Sequence, residues 1–145
     1  MADLIIKPAS GSDSLIFQDG AGTAVATIST NNIAFGKGIT EPKAVLAATG
    51  TVSVNLTLGS YFTCSPTGNI TMAFTGIVTG VLNAWTIEFT QDSSTRTVTY
   101  PGAVKWGGGA AHVLSTASAA KDIVSFFSID GGTTIYGAIV GSAFA

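Results

Sequence analysis

The amino-acid sequence predicts an all-β protein: an antiparallel β-sandwich or barrel-like domain preceded by a short N-terminal β arm. Apolar residues recur at every second position through most of the chain, the period of a strand with one buried face. Thr, β-branched and aromatic residues, which suit a pleated surface, dominate these runs. Clusters of Gly, Asn, Asp and Ser punctuate them at short intervals, and helical periodicity is thin.

The arm comprises residues 1–42 and holds three short strand candidates, Leu4–Lys7, Ser14–Gln18 and Ala24–Ser29, joined by loops rich in Gly, Ser and Asp. An isolated hairpin is marginal in water. The arm is therefore expected to pair with the main domain, with itself across a symmetry axis, or with a partner surface. Its expected contact residues are Leu4, Ile5, Ile6, Leu15, Ile16, Phe17, Ile28 and Phe35.

The main domain is expected over residues 43–145. Glu41–Ala48 reads either as one or two helical turns, with Thr40 as cap and Pro42 in the first turn, or as extended chain. Beyond it Val52, Val54, Leu56 and Leu58 alternate with polar residues. So do Ile70, Met72 and Phe74, then Trp85, Ile87 and Phe89, then Val98 and Tyr100. Val113–Lys121 is Ser/Ala-rich and has room for a short helical turn. Asp130-Gly131-Gly132, between Ile123–Ile129 and Thr133–Val140, reads as a tight hairpin. No strict internal repeat is visible.

Composition narrows the function. Hydrophobic residues make up 46% of the 145-residue chain and charged residues 10%, the latter far below the usual quarter. Such a chain does not resemble a disordered one. It also lacks the charges that keep a whole surface solvated, which implies surface hidden against other subunits. Six basic residues are scattered and the net charge is −2, so no basic patch points to nucleic acid. No apolar run is long enough to span a bilayer as a helix, and residues 1–7 lack the pattern of a signal peptide. Neither a membrane nor a nucleic-acid partner is expected. The single cysteine, Cys64, cannot form an intrachain disulfide and is expected as a buried, inert thiol.

Catalytic patterns are missing. His112 is the one histidine, and a metal site wants several ligands together. A histidine-based triad needs a nucleophile and an orienting carboxylate converging on His112, but no nucleophile-elbow pattern is present. As a loop residue, His112 has the chemistry of a pH-sensitive contact. Glu88 sits mid-strand opposite the face of Trp85, Ile87 and Phe89. Asp92, Asp122 and Asp130 fall at strand ends or turns, where Asp serves backbone hydrogen bonds. Gly107-Gly108-Gly109 is followed by no Lys-Ser/Thr and no helix, so it is read as a β loop and not a phosphate cradle. The expectation is no enzyme, no cofactor and no metal. Tyr100, Lys105, Trp106 and His112 have two readings: an exposed recognition loop, with aromatics able to anchor a partner, or, for Trp106, a plug at the end of the core.

The stretch Thr97-Val98-Thr99-Tyr100-Pro101-Gly102-Ala103-Val104-Lys105-Trp106-Gly107-Gly108-Gly109, followed by Lys121-Asp122-Ile123-Val124-Ser125-Phe126-Phe127-Ser128-Ile129-Asp130-Gly131-Gly132-Thr133-Thr134-Ile135-Tyr136-Gly137, resembles a β domain of bacteriophage tail-fibre and other virion proteins. The resemblance covers about residues 50–140. The chain departs from that pattern at Ala110-Ala111-His112, where a proline often follows the glycines, and at Ile135, which replaces a frequent Trp. The resemblance implies a virion structural protein, made in the host cytoplasm. Two placements follow. One is a homotrimeric capsid decoration (cement) protein on the outer capsid, whose arm contacts the major capsid protein or a neighbouring subunit. The other is a short tail-fibre or receptor-binding protein recognising a host surface glycan through the Tyr100–His112 region.

Overall fold

The structure, a computed structural model, describes residues 14–18, 20–29, 33–35, 38 and 40–145. The strand candidate Leu4–Lys7, with Leu4, Ile5 and Ile6, lies outside them. The described residues are all-β, with strands, two 3-10 turns and no α-helix. Glu41–Ala48 takes the extended alternative, and of Val113–Lys121 all but the last residue, which opens a strand, is irregular, with one turn closed by Ala120 N–H donating to Ala117 O at 3.2 Å.

The chain divides into two compact units, Met1–Thr40 and Glu41–Ala145. In the first, β1 (Ser14–Gln18), β2 (Ala24–Ser29) and β3 (Ile33–Phe35) form an antiparallel three-stranded sheet in that order. Residue pairs Phe17–Ala26, Ala26–Phe35 and Ile28–Ile33 lie directly opposite one another. Period-two alternation then puts Phe17, Ile28, Ile33 and Phe35 on one face, all exposed. Ile16, opposite Thr27, belongs to the other face. Leu15 is placed in β1 by its backbone. Gln18 Nε2 donates to Gly22 O at 2.8 Å and closes the β1–β2 turn.

The second unit starts where Glu41 anchors the chain. Its carboxylate accepts from Ser60 N–H at 2.8 Å and from Ser60 Oγ at 2.5 Å. Next come β4 (Ala44–Val45), β5 (Gly50–Asn55), β6 (Tyr61–Cys64), β7 (Ile70–Thr75), β8 (Thr79–Thr90) and β9 (Val98–Thr99), then β10 (Val104–Trp106), β11 (Lys121–Asp130) and β12 (Ile135–Phe144). They form a six-stranded sheet, β10-β12-β11-β8-β6-β4, and a three-stranded sheet, β5-β7-β9.

The expectation of an antiparallel domain is corrected here. The pairs β4–β6, β6–β8, β5–β7, β7–β9 and β10–β12 are parallel, and β8–β11 and β11–β12 are antiparallel. From β4 to β9 the chain alternates between the two sheets. Each strand therefore meets, in its own sheet, the strand two elements earlier, running the same way. Period-two alternation reports which face is buried and is blind to strand direction. The windings are also of unequal length (Ala44 pairs with Phe62, then Phe62 with Ile87), so no repeat shows in the sequence.

The expected hairpin forms as read. Gly131 and Gly132 take φ of +72° and +86°, a region that favours glycine. Asp130 Oδ1 accepts from Thr134 N–H at 3.0 Å and Ser128 Oγ at 3.0 Å. The alternation beginning at Val52 stops earlier than expected. Asn55 Oδ1 accepts from Thr57 N–H at 3.1 Å and turns Leu56–Leu58 into a 3-10 turn. That leaves Leu58 in solvent.

One core joins the inner faces of both sheets. Val52, Val54, Ile70 and Met72 come from the smaller sheet, and Phe62, Cys64, Trp85, Ile87, Phe89, Val124 and Phe126 from the larger. Full burial of each large apolar side chain contributes about 1.5–3 kcal/mol. Trp85 and Phe126 stack with centroids 5.5 Å apart, and Phe74 tilts against both. Gln91 is buried with neither amide atom hydrogen-bonded. Replacing an unsatisfied buried amide by an apolar group of similar shape removes a desolvation cost of about 1–3 kcal/mol. Gln91→Met is expected to raise the urea midpoint, and an unchanged or lower midpoint would refute this account.

Candidate functional site

The residues with the most chemistry gather around the irregular segment between β10 and β11. Inward positions of β11 are Asp122, Val124, Phe126 and Ser128, all buried. Asp122 pairs across the sheet with Phe89 on β8, which places a carboxylate in the core. It is fully buried, and its oxygens accept from Ser115 N–H at 2.7 Å, Ser115 Oγ at 2.5 Å and Ala143 N–H at 2.9 Å. Burial alone would raise its pKa. The hydrogen bonds from Ser115 and Ala143, with the charge interaction to His112, outweigh that and hold it below the ordinary Asp value.

His112 completes the cluster. Its Nε2 lies 3.3 Å from Asp122 Oδ2, a close electrostatic contact without the alignment of a hydrogen bond. Its Nδ1 is 2.8 Å from Tyr100 Oη, and its ring stacks on Phe89 with centroids 5.6 Å apart. Burial lowers the His112 pKa, against the raising pull of Asp122, so the imidazole is neutral at pH 7. Burial first, then the Asp122 charge, raises the Tyr100 pKa far above the usual phenol range, which keeps its proton. The consistent tautomer has Nε2–H towards Asp122 and Nδ1 accepting from Tyr100 O–H.

The exposed-loop reading is therefore corrected for His112 and in part for Tyr100 and Trp106, whereas Lys105 is exposed. His112 is only 2% exposed. Tyr100 is half-buried, with its hydroxyl turned to His112. Trp106 packs edge-on against Tyr100 at 4.9 Å and Phe126 at 5.8 Å. Its ring covers Gly137, where a Cβ would come within 2.8 Å of it. Lys105 is exposed and donates to Gly102 O at 3.1 Å. The physical reason is the tilt of the Trp106 ring across the end of the core, over the glycine that leaves room for it. The plug reading fits Trp106 better than the open-platform reading.

The constellation resembles the outline of an acid–base relay, with carboxylate, imidazole and hydroxyl in line. His112 and Asp122 are 2% and 0% exposed, and neither lines the cavities of about 540, 340 and 210 Å³ on the second unit. A cavity of about 340 Å³ beside Trp106 is lined by Gly107, Ala110, Gly137, Ala138 and Ile139. It lacks the placed polar side chains that orient a ligand. A larger one, about 540 Å³, includes Glu41 and Asn83. Glu41 is engaged by Ser60, and Asn83 by the backbone of Val78, Val81 and Ser128. No group of three or more His, Cys, Asp or Glu that could hold a metal ion occurs among the described residues. Through Ser115 and Ala143 the cluster ties the β10–β11 segment to the end of β12.

Cys64 lies on the inner face, its thiol donating to Ala47 O at 3.4 Å. Burial pushes its pKa up to about 11. Since the thiolate is the reactive form, a thiol reagent at pH 8 is expected to label Cys64 only as fast as the protein unfolds. Rapid labelling of the native chain would contradict this burial.

The chain matches no protein-family model, no curated protein and no solved structure.

Proposed function

We propose that this chain is a bacteriophage virion structural protein, a homotrimeric capsid decoration protein that binds and stabilises the outer capsid. The observation that carries the reading is the sheet of the first unit. Phe17, Ile28, Ile33 and Phe35 line one face of a three-stranded sheet, each 41–59% exposed. Contiguous exposed apolar patches on soluble proteins mark contact sites. Ile33 joins the contact set expected from the sequence, and Ile16 falls on the opposite face. The finer architecture we propose for the second unit is a β-sandwich, in which the winding β4–β9 makes the two layers and the β11–β12 hairpin extends one of them. The cavity beside Trp106 lacks placed polar side chains and the polar groups of the larger one are engaged, which supports a scaffold over a receptor-binding tip. Many weak contacts on one shell add up through avidity.

Two experiments test the reading. Quantitative mass spectrometry of purified particles is expected to find the chain at a copy number comparable to the major capsid protein. A few copies per particle would move it to a tail fibre, and absence would end the proposal. Phe17→Asp with Phe35→Asp is expected to abolish docking onto bare capsids while leaving the thermal transition of the second unit in place.

A further inference from the structure

The outer face of the six-stranded sheet is divided. One half is polar: Glu88 accepts from Tyr61 Oη at 2.8 Å and Lys121 Nζ at 2.7 Å, and Thr86 meets Ser125 at 2.8 Å. The other half, towards the hairpin turn, is apolar. Cross-strand pairing sets Phe127 opposite both Ala84 and Tyr136, and Ser125 opposite Ala138. The Phe127 and Tyr136 rings stack with centroids 5.0 Å apart. Leu82 and Ile129 extend the patch near the turn, at 69% and 60% exposed, and Val140, 60% exposed, carries it along β12 to the level of Ile123.

The patch runs up to an unguarded sheet edge. β10 pairs with β12 only through Ile135–Gly137, so Ala138–Phe144 has no strand beyond it among the described residues. Natural edges are normally guarded by Lys, Pro or inward charges. Residues 131–145 contain no Asp, Glu, Lys, Arg or Pro.

We infer that this hairpin face is where copies of this chain meet. Charge decides the occupant. A charged partner would be selected by complementary charge, and the patch offers none. A neutral apolar face lets copies of itself converge on a symmetry axis without charge repulsion, as closing a ring of subunits requires. Area agrees. Half of an aromatic side chain is on the order of 100 Å², and the larger exposed fraction of a smaller aliphatic one is on the same order, so Phe127, Tyr136, Leu82, Ile129 and Val140, 45–69% exposed, give on the order of 500 Å² before the open backbone edge is added. That is more than half of the ~800 Å² each partner contributes to a standard interface. The inference rests on the homotrimer part of the proposed function and not on the capsid: it moves the subunit contact from the arm to the hairpin and leaves the arm free to dock.

The test is sedimentation of the full chain across a concentration series, beside two variants. Phe127→Lys with Val140→Lys is expected to shift the oligomer to monomer, weakening association by about tenfold or more, since central interface aromatics dominate binding. Phe17→Asp with Phe35→Asp is expected to leave the mass unchanged. A wild-type chain that stays monomeric overturns the inference, as does an oligomer that survives the lysines. An oligomer dissociated by the arm substitutions alone likewise overturns it, and returns the contact to the first unit. Amide exchange of wild type serves as a check that needs no folded variant. Ala138–Ser142 should gain protection with rising concentration, and concentration-independent exchange there counts against the interface.

Discussion

Asp122→Ala is expected to remove a large share of the second unit's stability. The carboxylate satisfies Ser115 N–H, Ser115 Oγ and Ala143 N–H in a site with no solvent exposure. Alanine strands two backbone donors, each worth about 1–3 kcal/mol when buried and unpaired, and opens space against His112. The expected loss, about 3–5 kcal/mol, is a large share of the 5–15 kcal/mol that holds a typical domain together. Asp122→Asn keeps the volume but turns one acceptor into a donor facing Ser115 or Ala143, so it should rescue only partly. Urea unfolding of the three proteins measures this. A loss within about 0.5 kcal/mol, the range of ordinary surface substitutions, would show that the cluster does not anchor the segment.

The same cluster gives stability a defined pH dependence. His112 has a folded pKa below its ordinary 6.5, so the unfolded chain binds its proton more readily. Its contribution is complete above pH 6.5 and declines as pH falls below it. Asp122, depressed below 3.8, contributes fully above that value and loses its contribution as pH falls further. Acid therefore weakens the fold in two stages, and His112→Gln should remove the upper one. Tyr100 and Cys64, both raised by burial, stay protonated throughout that range.

The all-β class was legible because alternation is a direct record of burial. Val52/Val54, Ile70/Met72 and Trp85/Ile87/Phe89 all point inward as their spacing requires. Strand direction was not legible, because a winding that alternates between sheets and a series of hairpins bury the same positions. β11 shows why the site was missed. Its apolar residues fall on both faces, Val124 and Phe126 inside, Phe127 and Ile129 outside, so neither face stands out by composition. The turn Asp130-Gly131-Gly132 fixes where the strand ends, not which face is buried. Once Val124 and Phe126 are known to be inside, period two puts Asp122 inside as well. A buried carboxylate then needs partners, and His112 was the one histidine to look for. Ile33 escaped notice because a three-residue strand is too short to display a period.

The adjacent pair Phe126–Phe127 separates stability from assembly within one dipeptide. Phe126→Ala is expected to cost about 3–5 kcal/mol, the usual range for a buried Phe. The reason is geometric: Phe126 is 2% exposed and its ring touches Phe74, Trp85, Tyr100 and Trp106. Two of these rings come from the larger sheet, Phe74 comes from the smaller, and Tyr100 leads to His112. Truncation therefore unseats the aromatic layer and the plug together, with no small neighbour able to fill the gap. Phe127→Ala is 45% exposed and touches Tyr136, so its cost to the isolated subunit should stay near or below about 1 kcal/mol. Its effect should appear instead in the sedimentation series, as weaker self-association. Urea unfolding at low protein concentration, where association is absent, reads the first quantity alone. Equal losses for the two substitutions there would mean that Phe127 is part of the fold's own packing, and the hairpin face would lose its claim as a surface held in reserve for a second copy.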